Sequence, residues 1–295
     1  NRPLNSLTDV FLPWISQTLA DLPTRKSALE SLIREHPKIA WKLLLSLLPS
    51  SHGFTSGTRK PVWRSFIPRG WKETVAVPQY WEQIQLYADI CTRLAALDLD
   101  KLVELVDRLA DLPEPAHSKI LGYLASPSVV ALGEEKRVRL WEALKDLALK
   151  HRRFADAQWA MAADRVAKIE DVAMMLTPAS FELTNRRLFT EREFELYDDP
   201  DNNFEEQQKR LDGIRQDAIK AILSVKGMEG VVGFSQDVES PGKVGEALAA
   251  VDDPSIDTFL LPAFLDKSER KIRSFFESFV WRRVFTKKWE WVDRN

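Results

Sequence analysis

The sequence predicts an all-α chain: an irregular α-solenoid or helical array of αα-hairpins, interrupted by two long irregular loops. Three observations predict it. Apolar residues recur at helical spacing through most of the 295 positions, and no alternation long enough to make a strand occurs. Leu, Ala, Glu, Lys and Arg, which lose least on entering a helix, dominate, while glycine is scarce at 11. The apolar runs are punctuated by Pro- or Gly-marked turns, as in stacked helical hairpins. No fixed repeat length emerges and no helical-repeat consensus fits.

Val10, Phe11, Trp14, Ile15, Leu19 and Leu22 share a helical period that Pro23 closes. Thr24 is placed to cap the next helix, whose Ala28, Leu29, Leu32 and Ile33 face one way. Pro37 then marks a boundary, because the residue before a proline avoids helical geometry. A third helix over 37–48 carries Ile39, Ala40, Leu43, Leu44, Leu47 and Leu48, a stripe wide enough to imply burial between neighbours, and Pro49 stops it. After an interruption, Tyr80, Ile84, Tyr87, Cys91, Leu94 and Ala95 resume the period. Shorter helices follow around Leu102–Leu109 and Ile120–Leu124. Longer ones use Val138, Trp141, Leu144 and Leu147, then Trp159, Ala162, Val166, Ile169 and Val172. Beyond a second interruption come Leu211, Ile214, Ala218, Ile222 and Val225. Short helices lead from there to a final one holding Ile272, Phe275, Phe276, Phe279 and Val280.

The organisation expected is a helical array over 1–177 that includes a basic loop at 50–78, an acidic connector at 178–204, and a helical segment over 205–295. The whole reads as one continuous fold excised from a longer chain. A net charge of −2 argues against a generally basic coat for nucleic acid, though not against a local basic patch. The single cysteine, Cys91, rules out an internal disulfide framework and fits a reducing compartment. With no signal-peptide pattern and no apolar run near bilayer length, a soluble cytoplasmic protein without membrane partners is expected.

The strongest local anomaly lies in the first interruption. Between Ser50 and Lys72 there are five Lys or Arg residues and no Asp or Glu, with Trp63, Phe66 and Trp71 interleaved. Cations beside stackable rings suit phosphates or single-stranded nucleic acid. The candidate surface for an anion, nucleic acid or partner is therefore His52, Arg59, Lys60, Trp63, Arg64, Arg69, Trp71 and Lys72. The same residues would also serve as a clasp, with tryptophans pinning the loop to helices and cations pairing with nearby carboxylates, and this is the commoner role. The spacing is not that of a phosphate-binding P-loop. His52 has no partner in sequence that would make it a general base, and Ser51 lacks a nucleophile elbow.

The second interruption carries Glu191, Glu193, Glu195, Asp198, Asp199, Asp201, Glu205 and Glu206. A calcium loop needs a central glycine that is missing, so a solvated connector is expected. Four scattered histidines without cysteine companions make no zinc pattern. No catalytic residue, cofactor or metal ligand is therefore assigned. The last helix sets Arg270, Lys271, Arg273, Arg282, Arg283, Lys287 and Lys288 among Trp281, Trp289 and Trp291. Stacking on a further helical repeat accounts for such aromatics, and a nucleic-acid groove is the alternative.

The phrases Ala40–Pro49, His52, Thr58–Arg64 and Gly242–Leu248 resemble stretches in the helical portions of large multidomain bacterial proteins. Some proteins of that build join a nucleotidase, deacetylase-like or signalling-NTPase module to a helical-repeat sensor and act in antiphage defence. The resemblance implies a non-catalytic scaffold, sensor or regulatory arm, whose partner is a protein or another domain of the parent chain. Nucleic-acid or nucleotide binding through the basic loop is the alternative.

Overall fold

The computed structural model describes residues 2–15, 18–50, 74–191, 204–264 and 269–293, and these are all-α, with no strand among them. They form two compact units, residues 1–176 and 177–295.

The first unit contains α1 (Arg2–Phe11), α2 (Leu22–Glu35), α3 (Pro37–Leu47), α4 (Val77–Ala95), α5 (Leu99–Val106), α6 (Ala116–Leu124), α7 (Pro127–Val130), α8 (Glu134–Arg153) and α9 (Ala163–Leu176). Their ends follow local chemistry. Asp21, rather than Thr24, caps α2 by accepting the Thr24 N–H at 3.0 Å, and Asp98 caps α5 in the same way. Pro37 and Pro78 sit in the first turns of α3 and α4, where a missing N–H costs nothing. In α8, Glu134 and Glu135 open the helix, and Lys150, His151, Arg152 and Arg153 close it, complementing its dipole.

α3 packs against α1, α2 and α4; α4 against α5 and α6; α8 against α5 and α9. The stripe expected of α3 is largely confirmed, since Ala40, Leu43, Leu44, Leu47 and Leu48 are buried, while Ile39 is exposed.

Two expectations are corrected. The period from Val10 to Leu22 is not one helix. α1 stops at Phe11 and α2 starts at Leu22, because Pro13 disfavours helical geometry at Leu12 and has no N–H to donate. The helix drawn through Trp159 begins only at Ala163. Trp159 instead stands beside α8, edge-on to His151 at 5.3 Å and 5.6 Å from Phe154, with Lys150 Nζ 5.4 Å above it.

Two histidines in this unit are buried as neutral rings. His151 Nδ1 accepts the Met161 N–H at 3.0 Å, a bond that protonation would turn into a clash of donors. His117, on α6, is fully buried; Glu114 Oε1 lies 3.3 Å from its Nδ1 without meeting hydrogen-bond geometry. Burial lowers both pKa values. Arg165 and Lys168 reinforce the shift at His117 against Glu114, and Lys150 and Arg165 reinforce it at His151 against Asp111. The unfolded chain therefore binds more protons than the folded one once the pH drops below the ordinary histidine value. Stability is fully present above about pH 6.5 and falls on acidification, by up to about 1.4 kcal/mol per pH unit for each ring. Urea titrations between pH 7.5 and 5.5 should register this slope. His151→Asn keeps an acceptor for the Met161 N–H and should remove one histidine's share, and an unchanged slope would exclude His151 as a contributor.

The second unit contains α10 (Phe181–Asn185), a 3-10 turn (Arg186–Phe189), α11 (Phe204–Asp237), α12 (Pro241–Ala249), α13 (Pro254–Phe264) and α14 (Arg270–Val292). Part of the stretch expected to be an irregular connector is thus helical, and Phe189 is fully buried against Phe234 at 5.3 Å. Buried Arg215 on α11 holds that turn by donating from Nε to Leu188 O at 2.7 Å. α11 is broken at Gly227, whose φ of 66° is in the left-handed region that glycine tolerates. α12 lies across α11 and α14 at the centre of a core that includes Ile219, Val244, Leu248, Phe275 and Phe279.

Candidate functional site

The first unit contains a cleft of about 620 Å³ lined by Trp14, Ser46, Leu48, Pro49, Ser50, Val75, Val77, Tyr80 and Trp81. Three segments converge on it, each delivered there by a local stop signal. Pro13 releases the chain from α1 and leaves Trp14 outside any helix. The end of α3 at Leu47 sends Leu48, Pro49 and Ser50 along the rim. The first turns of α4 supply Val77, Tyr80 and Trp81.

A buried polar network fixes the end of α1 to α2 and α4. The Tyr87 hydroxyl donates to Phe11 O at 2.7 Å, and Gln83 Nε2 donates to the same carbonyl at 3.2 Å and to the Tyr87 hydroxyl. Arg25, from α2, donates from Nη1 to Leu12 O at 3.3 Å and to Gln83 Oε1 at 3.4 Å, and from Nε to Ala20 O at 3.2 Å. The two carbonyls at the end of α1, which no helix bond satisfies, are thereby met by side chains. An antiparallel bridge between Ile15 and Thr74 adds a second tie. Burial pushes the Tyr87 phenol up to about 12, so the network has no ionising member near neutrality other than the permanent cation Arg25.

Within the cleft, Tyr80 and Trp81 meet edge to face with centroids 4.4 Å apart. Trp14 and Trp81 remain 37% and 44% exposed, and Val77 67%. Ser46 donates its hydroxyl to Leu43 O at 2.7 Å, and its oxygen lies 3.4 Å from Thr8 Oγ1. Burial raises the Tyr80 phenol pKa, so it stays a neutral donor. Chemically the cleft offers π faces, aliphatic wall and a few hydroxyls, the composition of a site that holds a flat or apolar group by contact and orients it by one or two hydrogen bonds.

Of the sequence candidates, His52, Arg59, Lys60, Trp63, Arg64, Arg69, Trp71 and Lys72 lie outside the described residues, as do Glu193, Glu195, Asp198, Asp199 and Asp201. The segment that carries the basic candidates joins Ser50 to Thr74, and Ser50 and Val75 both line the cleft, so it is rooted at both ends in this wall. The helical periods placed Trp14 and Tyr80 on helix stripes, which is so for Tyr80 and not for Trp14. The signal that would have found the site is Pro13, which frees Trp14, together with adjacent rings at Tyr80 and Trp81 next to a helix start. Cys91, on α4, is fully buried and its thiol pKa is raised by burial, which makes it unreactive. Among the described residues no group of three or more His, Cys, Asp or Glu is placed to hold a metal, and no helix is long and apolar enough to cross a membrane.

No model of a known protein family matches the chain, and neither a curated protein nor a solved structure shows significant similarity to it.

Proposed function

We propose that this chain is a non-catalytic interaction module, an irregular α-solenoid or helical array that serves a larger bacterial protein as a sensor or regulatory arm. Its partner is another protein or a domain of the same parent chain, engaged through the Trp14–Tyr80–Trp81 cleft. The observation that carries this reading is the cleft itself, where partly exposed rings stand beside a buried hydrogen-bond network instead of being packed away. Exposed aromatics backed by a rigid scaffold are what binding hot spots are made of. The succession of helices packed on near neighbours in the first unit supports the array.

A second reading is favoured by one specific feature. Five cations and no carboxylate occupy the stretch from Ser50 to Lys72, and that stretch is covalently anchored on both sides of the aromatic wall. Single-stranded nucleic acid, or a nucleotide, would find both ring faces and cations there.

One pair of measurements separates the readings. Partner retained by the tagged chain should fall about 30-fold on Trp81→Ala, the size expected for truncating an aromatic hot spot. Anisotropy of a labelled oligothymidylate should show no salt-dependent binding. Binding of that oligonucleotide that weakens steeply with salt and is abolished by Arg59→Glu with Lys60→Glu would replace the first reading by the second. Retention indifferent to both Trp14→Ala and Trp81→Ala would remove the cleft from either.

A further inference from the structure

The cleft of the first unit is unusual in its hydrogen-bonding inventory. None of the described residues that line it is Lys, Arg, His, Asp, Glu, Asn or Gln. The Trp14 and Trp81 indole N–H groups and the Tyr80 hydroxyl make no hydrogen bond among the described residues. Burial raises the Tyr80 phenol pKa, so that group keeps its proton and can donate it. An indole N–H can only donate, and no lining side chain is of a kind that can only accept. The cleft therefore combines ring faces, aliphatic wall and unsatisfied donors, with no charge to offer a partner.

Taking the cleft as the docking site proposed above, we infer that its occupant is a proline-rich segment of the partner in the polyproline II conformation. Such a segment presents the complementary inventory. Proline has no N–H to satisfy, and a polyproline II helix makes no internal hydrogen bonds, so its carbonyls need donors from outside. Its pyrrolidine rings are apolar and flat enough to lie on aromatic faces, and the conformation is already ordered before binding. The Tyr80 and Trp81 rings, with planes 63° apart and centroids at 4.4 Å, form a corner for one such ring. Other occupants match less well. An amphipathic helix bonds its own carbonyls internally and would bury the indole N–H groups unpaired. A partner strand needs a sheet edge, and the described residues offer only the isolated bridge between Ile15 and Thr74. A nucleic-acid strand needs cations along its phosphates, which the described wall lacks.

Anisotropy of fluorescein-labelled octaproline, titrated with the full chain, decides the matter. Saturable binding with a Kd below about 1 mM is expected, and it should be indifferent to salt because no charge takes part. Trp81→Ala should weaken it at least about tenfold. Trp81→Phe and Tyr80→Phe keep a ring and remove a donor, so each should weaken it about 2- to 10-fold, the worth of one hydrogen bond. Unchanged melting by circular dichroism will show that the variants are folded. No binding of octaproline at about 1 mM chain would overturn the proposal, as would full affinity in both phenylalanine variants. Tighter binding of a leucine-rich amphipathic helical peptide would assign the cleft to a helix instead. Partner retention that falls on Trp81→Ala while octaproline does not bind would leave the docking site standing and remove only its proline-rich ligand. Retention indifferent to both Trp14→Ala and Trp81→Ala would remove the site itself.

Discussion

Replacing Asp257 by alanine is expected to destabilise the second unit by about 3–5 kcal/mol, the range for removing one member of a buried ion pair. Arg283 and Asp257 are 1% and 5% exposed, and Arg283 Nε donates to Asp257 Oδ1 at 3.0 Å. The other carboxylate oxygen accepts the Trp291 indole N–H at 3.1 Å. Among the described residues the guanidinium keeps a 3.4 Å bond to Asp253 O and the face of Phe279, 5.3 Å away. Alanine at 257 therefore strands a buried cation and removes the acceptor of the Trp291 indole N–H. The turn after Lys288 brings Trp291 within hydrogen-bond reach of Asp257 on α13. Urea unfolding followed by tryptophan fluorescence should show the midpoint falling by more than about 1 M, for a slope of 1–3 kcal/mol per M. Asp257→Leu combined with Arg283→Met should cost less than Asp257→Ala alone, since nothing charged is left unpaired. A double variant worse than the sum of the singles would refute the ion-pair account.

Gly245→Ala should lower stability by about 3 kcal/mol, although the same change in an isolated helix would add about 1 kcal/mol. The sign is reversed by the crossing of α12 and α14. A Cβ at Gly245 would overlap the Phe275 carbonyl oxygen and lie 3.0 Å from Phe279 N, and backbone cannot move aside without separating the two helices. Gly242, one turn earlier, meets instead the Ser278 and Ser274 hydroxyls at 2.7 and 3.4 Å, which can rotate away. Gly242→Ala should therefore cost about 1 kcal/mol or less, and Gly213→Ala, with open space around it, should stabilise by up to about 1 kcal/mol. Thermal melts of the three variants give the ranking directly. Equal effects at 242 and 245 would mean that the close approach does not govern this pair.

Much of the helical architecture was legible in the chain. Pro37, Pro49 and Pro178 mark real boundaries, Pro23 falls in the first turn of α2 instead of closing a helix, and the stripes of α3, α4 and α8 are largely buried, with Ile39 exposed and Tyr80, Leu94 and Leu147 half-buried. The errors are instructive because they came from trusting period over punctuation. Trp14 and Trp159 both fall on a helical spacing, yet Pro13 detaches the first and the second lies short of α9. Phe181 to Phe189 looked like loop beside an acidic run, but Leu183, Leu188 and Phe189 turn inward once α11 and α12 are there to receive them. The cationic segment that stood out by composition lies outside the described residues, and the ring wall of the cleft did not stand out in the sequence.

What the sequence determined by itself is what depends on neighbours a few residues away: helix type, caps, stops, and the absence of strand-like alternation. Tertiary structure alone decided which rings stay open, as Trp14 and Trp81 do while Trp41 and Trp291 are buried. It also decided that Arg283 should find Asp257 and that a glycine should be required at 245. These outcomes join groups 26 or more positions apart, as between Asp257 and Arg283. Local periodicity carries no information about such pairs, because their energies arise only when whole helices pack and exclude water.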